Sequence, residues 1–342
     1  MKSLGNNSLA TSRTKLGLAR LYSIEGRNEE ASEFFEQCKQ VFENDLGASS
    51  LETCQTLRGL AVSRKRQSRF REAIDLLERA ITGYNNLLGP QHPETLVAHE
   101  SLALIHNHLG QHEEALDDIE RVLASNTVRL GLEHPCTLRN MLNKANVLCE
   151  LGRPDESKAL LDQVFRSAEI QFGPLDQFTL KVIHNLAFSS FCQEKYSDAE
   201  PLCELAITGW EKTMGKSHIL TMSSIELLGV VYYKQGLHDR ARSTLETALA
   251  GYRALSGPSG SILVYRTLGY LAQVCVSQCE PVNAKAFYEE ALGGHKELLG
   301  PRNNTTLRIA GDFAVFCESQ GWEEDAASLK RAICFLPESE RQ

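Results

Sequence analysis

The sequence lacks the features that would take a chain to or through a membrane. Nowhere do eighteen apolar residues run together, so a spanning helix has no signal. The opening stretch MKSLGNNSLATSRTKLGLARLY has no apolar core of a secretory leader. Both absences lead to the expectation of a cytoplasmic location, in which the Asn-x-Ser/Thr triplets at Asn6, Asn303 and Asn304 are chance matches. Positive charge is also in deficit. With 36 Lys and Arg against 44 Asp and Glu, the net charge of -8 leaves no basic footprint for a phosphate backbone, and nucleic acid is excluded as an expected partner. The ten cysteines include no C-x-x-C pair, so scattered, reduced thiols are expected instead of a disulfide framework.

Catalytic signatures are missing too. No HExxH helix, Gly-x-Ser-x-Gly elbow or catalytic cysteine motif occurs. Gly209 to Ser217 approaches a phosphate-binding loop, but it has one residue too many and follows no strand, so it reads as a helix end. His92, His99, His106, His108 and His112 crowd one stretch, yet they fall at a loop, along one helix and in a turn. They read as solvated or locally bonded side chains. Cys275 and Cys279 stand four apart without a second ligand pair, which favours packing over a metal. The expectation is a non-catalytic chain with no cofactor and no metal.

What the sequence has is repetition. From Leu88 to Gly131, Leu96, Leu102, Ala103 and Leu109 mark one helix face, Gly110-Gln111-His112 makes a turn, and Ala115, Ile119, Val122 and Leu123 mark a second face. Ala31, Ala73, Ala115, Ser157, Ala199, Ala241, Ala284 and Ala326 recur every 42 residues, with one step of 43. Twelve residues before each stands another small residue: Ala19, Ala61, Ala103, Ala145, Ala187, Gly229, Ala272 and Ala314. Small side chains at both places let two antiparallel helices approach closely. The extra residue falls in the loop after Gly257, where an insertion costs least.

Each unit closes with a glycine (Gly47, Gly89, Gly131, Gly173, Gly215, Gly300) able to adopt the left-handed conformation that ends a helix. His92-Pro93-Glu94-Thr95 and its relatives then start the next helix, with proline at the first helical position. The reading is all-α: a right-handed α-solenoid of about eight hairpins over residues 1–342, with repeats at 5–47, 48–89, 90–131, 132–173, 174–215, 216–257, 258–300 and 301–337.

The combination of Leu-Gly, His-Pro-x-Thr-Leu, Leu-Ala, Gly and Glu-Ala in 42 residues resembles the tetratricopeptide repeats of kinesin light chains and of related intracellular signalling arrays. The resemblance runs from Leu4-Gly5 to Pro337; of the asparagines that often precede Leu-Ala in that family, only Asn143 and Asn185 are present. It implies a scaffold or adaptor that binds a protein or extended peptide in a groove lined by the first helix of each hairpin. By analogy with such arrays, the groove takes positions 18, 15, 11, 8 and 7 before each marker alanine. That rule places Arg13, Arg20, Arg58, Lys65 and Arg66 at one end. Farther along it places Asn146, Lys181, His184, Phe188, Phe191 and Tyr233, with Asn185 alongside. An acidic segment with an apolar anchor fits this order of side chains. Alternatives are a sensor array of a larger nucleotide-binding signalling chain and an enzyme with an unrecognised site in the groove. The C-terminal end at Phe335-Leu336-Pro337, with no polar capping helix after it, is expected to dock on a larger parent chain or on a second copy.

Overall fold

The structure, a computed structural model, describes residues 8–67, 69–256 and 261–334. The described residues form sixteen α-helices and no strand. Contacts gather into two compact units, Met1–Asn140 and Met141–Gln342.

Unit 1 holds the hairpins α1 (Leu9–Ile24) with α2 (Asn28–Leu46), α3 (Leu51–Arg66) with α4 (Phe70–Leu88), and α5 (Pro93–His108) with α6 (His112–Leu130). The division falls inside α7 (Pro135–Glu150). Unit 2 continues with α8 (Pro154–Phe172), α9 (Gln177–Cys192), α10 (Tyr196–Met214), α11 (Ile219–Lys234) and α12 (His238–Ser256). It ends with α13 (Ile262–Ser277), α14 (Pro281–Leu299), α15 (Asn304–Ser319) and α16 (Glu323–Cys334). The loop after Gly257, the Leu4-Gly5 start and the Phe335 to Pro337 end all lie outside the described residues. Among the described residues no helix is long and apolar enough to cross a membrane.

The sequence explains where each helix begins. Ser8, Ser50, His92, Asp176, His218, Ser261 and Asn303 are the N-caps of the first helices. Each side chain accepts a hydrogen bond from a backbone N–H two or three residues on, satisfying a donor that the helix cannot. His92 and His218 do this with Nδ1, at 3.2 Å from the Glu94 amide and 3.3 Å from the Leu220 amide, and His134 does the same for Cys136 at 3.2 Å. The histidines that precede the repeat starts are therefore helix caps.

Helix ends follow the glycines, with one difference from expectation. Gly47, Gly89, Gly131, Gly173, Gly215 and Gly300 have φ between +86° and +91° but ψ between 161° and 169°. That is the extended mirror-image region, which is essentially restricted to glycine, and not the left-handed helical one. The conformation turns the glycine carbonyl toward the next helix, and Thr53, Thr95 and Thr221 donate their hydroxyls to Gly47, Gly89 and Gly215 at 2.9 Å each. Stop and start signals are thus one hydrogen-bonded loop. The Gly209 to Ser217 segment is the last part of α10 followed by such a loop, with Gly215 ending the helix and His218 capping α11.

The marker positions are the core. Ala31, Ala73, Ala115, Ser157, Ala199, Ala241 and Ala284 are fully buried, as are Ala19, Ala61, Ala145, Ala187 and Ala272. Gly229 shows why small size matters there, since a Cβ at that position would lie 2.7 Å from Leu245 Cγ and 3.3 Å from the Leu245 backbone nitrogen.

Candidate functional site: the row of first helices

Within unit 1, α1 touches α3 and α3 touches α5; within unit 2, α9 touches α11 and α11 touches α13. In these four pairs, first helices of successive hairpins lie side by side. A side chain on one meets a partner about one repeat along, which is where the predicted groove residues fall.

In unit 1 the predicted cations lie on this row but are interleaved with acceptors. Arg13 donates through Nη2 to Glu52 at 2.8 Å, Arg20 to Gln55 at 2.8 Å and Arg58 to Glu94 at 3.0 Å. Arg66 bonds the Ser23 carbonyl and the Asn28 side chain. Lys65 has no side-chain partner among the described residues; burial, helped by the neighbouring Arg66 charge, lowers its pKa. Farther along the row, Arg139 reaches Glu100 at 2.9 Å, which raises the guanidinium pKa against the burial that opposes it. Asn140 joins the same carboxylate at 3.2 Å. Charge at this end is organised as a ladder of cross-repeat pairs.

The crowded histidines each meet a local neighbour. Besides the cap at His92, His99 Nδ1 lies 2.7 Å from Asp118 Oδ1, and His106 Nδ1 lies 3.4 Å from Oδ2. Burial pushes the Asp118 carboxyl up, but the two imidazoles outweigh it and the pKa is lowered. His112 meets Asn107 at 2.9 Å, and His108 packs on Phe70. Cys275 is buried within α13, whereas Cys279 is exposed just beyond it. Among the described residues, no three metal-binding side chains gather.

Within unit 2 the first helices carry aromatic and amide side chains. Phe188 and Phe191 stack at 6.4 Å between centroids, and Phe191 also meets Tyr196 of α10 at 5.7 Å. Both phenylalanines are half-buried, so each rests on the core while keeping an accessible edge. Tyr233 is likewise half-buried, with Lys234 Nζ 5.7 Å from its ring centre. Asn146, Asn185 and exposed Lys181 have no side-chain hydrogen bond among the described residues, so their polar ends remain open to an added ligand. His184 Nδ1 lies 2.9 Å from Ser224 Oγ. Burial and the nearby Arg266 charge push His184 down to about 4, so it is a neutral hydrogen-bonding group at pH 7.

In the repeat of Tyr233 and the two that follow, the same register holds residues that sequence reasoning missed. Glu226 stands 15 before Ala241, Arg266 stands 18 before Ala284 and Arg308 stands 18 before Ala326. The Glu226 carboxylate is buried and receives both Arg266 nitrogens, Thr267 Oγ1 at 3.0 Å and Tyr252 Oη at 3.1 Å. Burial opposes the Arg266 charge, but Glu226 more than offsets it and raises the pKa. Arg266, Tyr270, Gln273, Arg308 and Asp312 border one depression beside this pair. The signal for these residues was the period itself, carried two repeats farther.

Comparison with known proteins agrees with this geometry. A tetratricopeptide repeat model matches residues 8–86, 52–125, 94–170 and 178–254, more than half of the chain. No curated protein sequence matches significantly. Among solved structures, kinesin-light-chain-type TPR-like repeats from Podosopora anserina are 26% identical at a TM-score of 0.51, covering 59% of this chain and 96% of that one. A Rap protein complexed with Competence and Sporulation Factor superposes at a TM-score of 0.72 with 12% identity, covering 98% of this chain and 87% of that one. The Rap conjugation gene regulator of plasmid pLS20, in complex with the Phr* peptide, gives 0.63 and 12% over 94% of both chains. With its hairpin period, its small-residue seams and the extent of the repeat match in agreement, the chain belongs to the tetratricopeptide repeat family.

Proposed function

We propose that the chain is a non-catalytic scaffold or adaptor that binds a protein or an extended peptide along its row of first helices. The observation that carries this reading is unspent hydrogen-bonding capacity next to apolar surface. Asn146, Asn185 and Lys181 have no side-chain partner among the described residues, and Phe188 and Phe191 stack on the helix that also carries Lys181 and Asn185. Amides can satisfy the backbone groups of an extended peptide, a lysine can meet a carboxylate, and an aromatic pair can hold an apolar anchor. The ladder of pairs in unit 1 makes Arg13 and Arg58 less available, because an incoming carboxylate must displace Glu52 or Glu94. At exposed Lys181 an acidic ligand would displace no such partner. The same fold holds the Phr* peptide in the pLS20 regulator.

The test is selection of peptides from a displayed random library against the full chain, followed by titration of the winners. Asn185→Ala and Lys181→Glu should each weaken binding about tenfold, the equivalent of one charge-assisted or backbone hydrogen bond. Unchanged affinity in both variants would remove this part of the row from the reading.

A further inference from the structure

A glutamate 15 before one marker residue pairs with an arginine 18 before the next marker at two places in the chain. Glu100 and Arg139 are one example, joined at 2.9 Å, and Glu226 and Arg266 are the other, joined at 3.0 Å. In both, the residue after the arginine also donates to the glutamate, Asn140 at 3.2 Å and Thr267 at 3.0 Å. The repeat frame thus seats a carboxylate on an arginine at this register.

One repeat after Arg266 the arginine is present but the glutamate is not. Arg308 stands 18 before Ala326 on α15, and the residue 15 before Ala284 is Gly269 on α13. Arg308 is exposed and makes no ion pair or side-chain hydrogen bond among the described residues. Asp312, one turn farther along α15, does not take the glutamate's place. It accepts from Gln273 Nε2 of α13 at 3.2 Å, a bond that joins the two helices. An arginine four residues before an acid is also the weaker order for a pair within one helix.

The space that a glutamate would fill is open. At Gly209, Gly251 and Gly294 an added Cβ would overlap Leu180, Met222 and Tyr265, so those glycines serve packing. Gly269 is buried, yet an added Cβ there would meet nothing within 4 Å. Glycine weakens a helix interior relative to alanine, and no close approach of a neighbour explains it here. Gly269, Tyr270, Ile309 and Arg308 border one depression. Ile309 stands where Asn140 and Thr267 stand in the other two pairs, and it offers methylene groups an apolar wall.

We propose that Gly269 and Arg308 form a pocket for a glutamate side chain of the ligand, which supplies the carboxylate missing from the pair. The ligand's methylenes lie over Gly269 against Ile309, and its carboxylate accepts from the Arg308 guanidinium and the Tyr270 hydroxyl. Asp312, the acid on the border, works against it. The pocket rests on the reading of the first helices as a peptide groove, since the glutamate belongs to the bound peptide.

One test needs no ligand. Gly269→Glu puts the carboxylate back into the chain, and Gly269→Gln fills the same space without charge. Gly269→Glu should melt about 2 °C above Gly269→Gln at low salt, and the difference should vanish when Arg308→Gln is added to both. Equal melting without that addition would overturn the carboxylate site, whatever the groove binds. The second test uses peptides selected by the wild-type chain from the displayed random library. They should carry a glutamate whose change to glutamine weakens binding about tenfold on the wild type, but not on Gly269→Glu or Arg308→Gln. Asp312→Asn should tighten the same peptides. Amidation of the peptide C-terminus should change nothing; a tenfold loss on amidation would give the pocket to a terminal carboxylate and overturn the side-chain assignment. Wild-type affinity in Gly269→Glu and Arg308→Gln, with binding weakened in Asn185→Ala and Lys181→Glu, would overturn this pocket and leave the groove reading standing. Wild-type affinity in all four would overturn both.

Discussion

Removing Arg266 should cost unit 2 more than neutralising its partner Glu226. The Glu226 side chain is only 4% exposed, whereas that of Arg266 is 39% exposed. In Arg266→Met the carboxylate stays buried and keeps only two neutral donors, Thr267 and Tyr252. Breaking a buried pair from one side costs about 3–5 kcal/mol, and those two hydroxyls bring the expectation to about 2–4 kcal/mol. In Glu226→Gln the shape is kept and Arg266 turns its exposed end to water, so about 1–2 kcal/mol is expected. The double variant should lose less than the sum by about 1–2 kcal/mol, because neither charge is then left alone. Both tryptophans of the chain, Trp210 and Trp322, belong to unit 2, so urea unfolding followed by their fluorescence reports on this unit. Equal costs for the two single variants, or strict additivity in the double, would refute the asymmetry and with it the structural role of the pair.

Other expectations follow from the repeat frame. Ala115→Leu overfills a fully buried seam and should cost roughly 1–3 kcal/mol; an unchanged melting temperature would misplace the buried face. His92→Ala should cost about 1 kcal/mol, whereas His92→Asn should be close to neutral, as thermal melts can show, because asparagine also accepts from the Glu94 amide. Glu194→Gly should stabilise by about 1 kcal/mol in urea melts, since Glu194 is held at φ 60° where a side chain is strained. His184 titrates at about 4 folded against 6.5 unfolded, so between those values the unfolded chain binds the proton and the folded one does not. Stability should fall as pH drops from 6.5 toward 4, and His184→Asn should have the shallower slope; identical slopes would contradict this.

The hairpin period was legible because it is written in backbone-limited positions. Only a small residue fits at Ala31 or Ala103, and only glycine adopts the φ and ψ of Gly89, so the 42-residue spacing survives in the letters. Two turns kept their shape without the letter. Glu194 and Cys279 take positive φ where sister repeats use Gly110 or Gly236, and no residue type announces it. The capping histidines were hidden for a related reason, since an imidazole is an uncommon cap and only the side-chain geometry reveals Nδ1 accepting. The predicted groove residues do occupy first helices, but the sequence could not say which were already partnered. Arg13 with Glu52, Arg139 with Glu100 and Arg266 with Glu226 are each about one repeat apart, and whether such neighbours join depends on rotamers, not on period.

The central claim is that ligand lies on the first helices, and photo-crosslinking addresses it most directly. A photo-reactive phenylalanine is placed at Lys181 on α9 or, in a second protein, at the exposed Ile170 on α8, and each is irradiated with a labelled peptide selected from the library. Capture at position 181 with little or none at 170 is the predicted result. Capture at 170 with none at 181 would move the binding face to the second helices and contradict the account.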